Sequence, residues 1–170
     1  GGSDLPESVT PDIRNRSYTV AVEVDIDRPD AEGVLFSQGT RFGGHALYIK
    51  AGKLKYAYNW VGQREFIVES DAAIPTGHVV LSATFAKEGQ GMPTKGRLSL
   101  HIREQEVAAA PIMTQPGKFG LGGGGLVVGR SGPEPVVNDY RGAAPHALTG
   151  GRITKVVIDV SGDPFIDLAR

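Results

Sequence analysis

Three carboxylates stand at alternate positions in Glu23-Val24-Asp25-Ile26-Asp27. Side chains alternate along a β-strand, so a strand here would present all three on one face. Alternate Cα atoms lie about 6.6–6.8 Å apart, and retaining glycosidases need two carboxyl groups about 5–5.5 Å apart. Glu23 and Asp25 are therefore a candidate acid–nucleophile pair. The bland counterpart is a solvated strand face whose charges discourage edge-to-edge pairing. No tryptophan flanks the triplet to hold a sugar.

A second constellation is aromatic. A strand over Lys53–Trp60 puts Leu54, Tyr56, Tyr58 and Trp60 in one row, and Arg41, Phe42 and His45 surround the Gly43–Gly44 corner nearby. Sugar-binding sandwiches stack rings against pyranose faces and fix hydroxyls with adjacent polar groups, so these six residues (Arg41, Phe42, His45, Tyr56, Tyr58, Trp60) are a candidate ligand or interdomain face. Equally, the row can pack between sheets or beneath another domain, its hydroxyls and indole N–H reaching the edge.

Other signals carry less chemistry. The four histidines (His45, His78, His101, His146) show no zinc spacing. Asn138 and Asp139 could donate oxygens to a rim calcium, which wants about six to eight of them. Gly120–Gly125 formally reads G-x-G-x-x-G, but it leads into Leu-Val-Val-Gly, a strand and not the helix a pyrophosphate requires. Asn15-Arg16-Ser17 is a glycosylation triplet of a kind common by chance.

Totals narrow the function classes. Lys plus Arg (18) balance Asp plus Glu (19), leaving no basic field for nucleic acid. Absence of cysteine excludes disulfides, thiolate metal sites and cysteine nucleophiles. No apolar run approaches the ~20 residues of a membrane span, and no signal peptide is visible, which favours a cytoplasmic location. Gly1-Gly2-Ser3 reads as a cloning remnant.

Positioning these residues falls to β-strands. Ser17–Asp27 alternates Tyr18, Val20, Val22, Val24 and Ile26 against polar neighbours. Further strands are predicted over Gly33–Gln38, His45–Lys50, Lys53–Trp60, Gln63–Glu69, Val79–Lys87, Arg97–Arg103, Gln105–Ala110, Leu126–Gly129 and Arg152–Val160. A glycine-rich corner (Gly39–Gly44), the Ala51–Gly52 turn and a long irregular loop (Ser131–Pro145) join some of them. Strands at such spacing make a two-sheet antiparallel β-sandwich of jelly-roll type. Residues 1–15 read as a linker or extended arm, 16–161 as the sandwich, and 162–170 as a tail that could begin a helix.

Three stretches together resemble the carboxy-terminal domain of bacterial arylsulfatases: GVLFSQGTRFGGHALYIKAGKLKYAYNW, IPTGHVVLSATFAKEGQG and LTGGRITKVVIDVSGDPFIDLAR. The last also resembles the closing strand of laminin-G and concanavalin-like domains. The resemblance implies a concanavalin A-like jelly roll and a parent enzyme using formylglycine and calcium, the formylglycine made within Cys/Ser-x-Pro-x-Arg. Ser131-Gly132-Pro133-Glu134-Pro135 lacks that arginine, so no catalytic residue or cofactor carries over. What it implies here is a non-catalytic accessory domain whose partner is the sulfatase catalytic domain of the same chain. A carbohydrate-binding module using the aromatic strip is the alternative.

Overall fold

The computed structural model describes residues 4–5, 16–89, 91, 93–114, 126–130, 135–143 and 146–160. The residues of the arm outside Asp4–Leu5, the Asn15 triplet's asparagine, the Gly120–Gly125 run and the 162–170 tail lie outside them. Among the described residues eleven strands form: β1 (Asp4–Leu5), β2 (Tyr18–Ile26), β3 (Gly33–Thr40), β4 (Gly43–Lys50), β5 (Lys53–Trp60), β6 (Arg64–Ala73), β7 (Gly77–Glu88), β8 (Thr94–Ile102), β9 (Gln105–Thr114), β10 (Leu126–Val128) and β11 (Gly151–Asp159). They make a six-stranded sheet, β1-β10-β3-β4-β5-β6, and a five-stranded sheet, β11-β2-β7-β8-β9. Every strand pairing is antiparallel. This is the two-sheet jelly-roll sandwich the alternation predicts. Asp4–Leu5, within the predicted linker, adds a short edge strand against β10.

The core lies between the sheets because each strand turns one side inward. From β2 come Tyr18, Val20, Val22, Val24 and Ile26; from β7, Val79, Leu81, Ala83 and Phe85; from β8, Leu98, Leu100 and Ile102. Leu47, Ile49, Leu54, Tyr56 and Tyr58 oppose them. Burying each such side chain contributes about 1.5–3 kcal/mol. On β3 an irregularity between Val34 and Phe36 turns both Leu35 and Phe36 into this core.

A second, smaller core covers the other face of the six-stranded sheet. Val136, Val137 and Tyr140 fold back over Val34, Ala46, Tyr48 and Ala57. That explains why β3 and β4 are buried almost without alternation: both of their faces are covered. The segment carrying the cap enters the 3₁₀ turn Asn138–Ala143. Among the described residues no helix is long and apolar enough to cross a membrane.

Two turns shape the end where the site lies. The predicted Gly39–Gly44 corner is not a loop: β3 and β4 pair through it, Gly39 against Gly44 and Thr40 against Gly43, leaving only Arg41–Phe42 to turn. A Cβ on Gly44 would lie 2.3 Å from the Gln38 carbonyl oxygen, so only glycine lets the strands close there. Val61 and Gly62 turn β5 into β6 with φ of 46° and 76°, and the Gln63 N–H closes on the Trp60 carbonyl at 2.9 Å.

Candidate functional site

The aromatic row belongs to the inter-sheet core. Tyr56 and Tyr58 are fully buried, and Trp60 packs half-buried against the same cluster. His45 is buried beside them. Its Nε2 lies 3.0 Å from Gln38 Oε1 and its Nδ1 2.8 Å from the Tyr56 hydroxyl, which lies 2.7 Å from the Tyr18 hydroxyl on the facing sheet. One arrangement satisfies every group: Tyr18 donates to Tyr56, Tyr56 to Nδ1, and Nε2–H to Gln38. Burial pushes the imidazole down to about 3. Gln38, His45, Tyr56 and Tyr18 thus form a polar girder through the core with the buried Tyr58 ring beside it, which takes His45, Tyr56 and Tyr58 away from a ligand face.

Glu23 and Asp25 do lie on one outward face of β2. The β2–β7 register sets His78 opposite Asp25, and its ring bridges the two acids, Nδ1 to Asp25 at 2.6 Å and Nε2 to Glu23 at 2.8 Å. Arg152 on β11 holds Asp25 from the other side at 3.1 Å. Hydrogen bonds from His78 and then Arg152 keep Asp25 below the usual carboxylate range, and the same two acids raise His78. A glycosidase needs the space between its carboxylates for the glycosidic oxygen and one acid kept protonated. Here an imidazole fills that space, so the arrangement is an ion-pair clasp joining β11, β2 and β7.

Asp139 is not placed as a calcium ligand either. Lys50 Nζ reaches Oδ1 at 2.8 Å, and Lys55 Nζ and the Tyr48 hydroxyl reach Oδ2 at 2.7 and 2.6 Å. Burial alone would raise this carboxyl, but the donors from Lys50, Lys55 and Tyr48 outweigh it and hold it far below its ordinary value. Two ammonium groups already occupy the oxygens a cation would need. Asn138 is exposed, and its N–H donates to Glu65 Oε1 at 3.1 Å. No group of three or more metal-ligating side chains occurs among the described residues.

Among the described residues an open cleft of about 690 Å³ lies between the Arg41–Phe42 turn, the turn at residues 61–63 and the segment at residues 135–138. Asn59, buried on β5, builds it. Its Nδ2 donates to the Arg41 carbonyl at 2.8 Å and the Val136 carbonyl at 2.7 Å, while Oδ1 accepts from Gly62 N–H at 2.9 Å. One side chain therefore joins all three walls. Phe42 stands on the rim, 60% exposed, with the Arg41 guanidinium 4.8 Å from its ring centre. Arg64, on another wall, stacks over Phe66 at 4.4 Å.

Of the candidate ligand residues, the structure brings Arg41 and Phe42 to this cleft with Asn138, and sends the others inward. Asn59 and Arg64 escape sequence reasoning. A signal for Asn59 exists: asparagine is depleted in strands, and one opposite an aromatic row must find partners.

Solved structures of similar shape are sandwiches too. Domains LG4-5 of the mouse laminin α1 chain match with a TM-score of 0.64 at 13% identity, over 94% of this chain and 39% of that one. The CBM40 of Ruminococcus gnavus IT-sialidase matches at 0.56 and 15%, covering 95% and 88%. The SAP-like pentraxin of Limulus polyphemus matches at 0.51 and 14%, covering 92% and 66%. The chain is a concanavalin A-like, laminin-G-like jelly roll. Such identities establish fold alone. No protein-family profile and no curated protein matches the sequence, and the sulfatase resemblance draws no support from the solved structures.

Proposed function

We propose that the chain is a non-catalytic binding module that holds a glycan in the cleft beside Phe42. The observation that carries this is the rim itself: a rigidly tied cleft of about 690 Å³ with an exposed aromatic ring on its edge. Sugar rings stack on such faces, and pre-organised walls lower the cost of binding. The Ruminococcus gnavus domain, similar in fold, has been solved with α2,3- and α2,6-sialyllactose bound, which adds weight to the reading. An NMR titration against a panel of oligosaccharides tests it. Shifts should cluster at residues 41–42, 59–65 and 135–138 and vanish in Phe42→Ala. Shifts elsewhere, or none, would refute it.

A second reading keeps the chain as an accessory domain packed on a sulfatase catalytic domain, which would itself supply the formylglycine and calcium. Besides the resembling stretches, it draws on the outward face of the five-stranded sheet, where Val80 and Val157 are 39% and 42% exposed on either side of β2. Val80→Lys with Val157→Lys should leave the isolated chain folded, Val80 lying opposite Glu23, and weaken its association with that catalytic domain. Unchanged association would exclude this face.

A further inference from the structure

Resting on the glycan-binding reading, we infer that the cleft selects sugars bearing an anionic group, a carboxylate or a sulfate, held through Arg64. Among the described residues Arg41, Arg64 and one carboxylate, Glu65, line it, and Glu65 already accepts the Asn138 N–H at 3.1 Å. Three other arginines each have a carboxylate close by: Arg28 has Asp30, Arg97 has Glu106 and Arg152 has Asp25. Arg64 has no carboxylate partner among the described residues; its guanidinium lies over the Phe66 ring. Stacking engages the flat face of the guanidinium and leaves its N–H edge for a planar or tetrahedral oxyanion. Phe42, on the opposite turn, offers an apolar face to the sugar ring. The cleft thus lines up a cation and an aromatic platform along one surface.

Calorimetry on the whole chain with three probes tests this: 3′-sialyllactose (carboxylate), 6′-sulfated lactose (sulfate) and neutral lactose. At low salt at least one charged sugar should bind roughly 10–100-fold tighter than lactose, with the gap narrowing at high salt. Whichever charged sugar gains shows which oxyanion the cleft prefers. Arg64→Gln should bring that sugar down to the level of lactose without moving the melting temperature. Equal affinity for all three sugars, or an Arg64→Gln chain that keeps its preference, would overturn the selection of anions while leaving glycan binding intact. Failure of all three to bind would overturn both.

Discussion

The Tyr56 hydroxyl meets Nδ1 of His45 at 2.8 Å, deep between the sheets, on a chain of hydrogen bonds from Gln38 to Tyr18. Charging His45 would turn Nδ1 from acceptor to donor and leave a cation without water. The folded-state value of about 3 lies below the ordinary ~6.5 of an unfolded histidine. Between those values the unfolded chain binds a proton that the folded chain refuses. Stability from this group is therefore complete above about pH 6.5 and falls as pH drops. Between pH 7 and 5 the loss should be on the order of 2 kcal/mol, read from urea midpoints and diminished in His45→Gln. His78 should behave oppositely: raised by Asp25 and Glu23, it stabilises most at low pH and loses that contribution as pH climbs through its folded value. Histidine NMR titrations should place the two on opposite sides of 6.5; His45 titrating near 6 would contradict the buried chain.

Ala51 and Gly52 turn β4 into β5 with φ of 53° and 76°, Lys50 pairing with Lys53 across them. Two successive positive φ values define a type I′ turn, which prefers Asn-Gly or Asp-Gly. Alanine and, one hairpin on, Val61 occupy the position where asparagine costs least. Ala51→Asn and Val61→Asn should each raise stability by about 0.5–1 kcal/mol, seen as a shift in urea midpoint without a change in slope. A loss of stability would mean the local backbone is not the limiting strain.

Strands that bury one face announced themselves. Tyr18 to Ile26 alternates because water touches only one side of β2, and the Leu98–Ile102 stretch of β8 does so for the same reason. Contacts made across the chain did not. Tyr48 and Lys55 belong to a face that is covered only because Val136, Val137 and Tyr140 arrive from some ninety residues away. Likewise His78 became the partner of Glu23 and Asp25 through the β2–β7 register, and a slip of one residue would have turned it inward. The fold was thus legible from local period; the cleft, made where three distant turns meet, was not.

Asp139 fastens that distant segment, with Lys50, Lys55 and Tyr48 converging on its two oxygens. Asp139→Asn keeps the shape and removes the charge that both ammonium groups face. A loss of about 1–3 kcal/mol follows from the charge-assisted bonds, together with faster proteolysis within residues 135–143. Because its carboxyl is depressed, the wild-type contribution is present above the ordinary carboxylate range and lost as pH falls toward the folded value. Added calcium should leave the melting temperature unchanged, since the oxygens are already engaged; a rise would restore the metal reading.

Asn59 gives the sharpest test of how the cleft is held. Its amide is a double donor, to Arg41 and Val136, while its oxygen accepts from Gly62. Asn59→Ala leaves two carbonyls and one N–H without this partner, which should cost about 2–4 kcal/mol. Asn59→Asp separates hydrogen bonding from volume. A carboxylate of the same size faces two carbonyl oxygens it cannot donate to, so folding favours its protonated form and raises its pKa. The deficit of Asn59→Asp relative to the wild type should therefore be smaller near pH 4 than at pH 7, and its Gly62 amide should exchange faster at neutral pH. If Asn59→Asp matches the wild type at pH 7, the three walls are joined by packing alone.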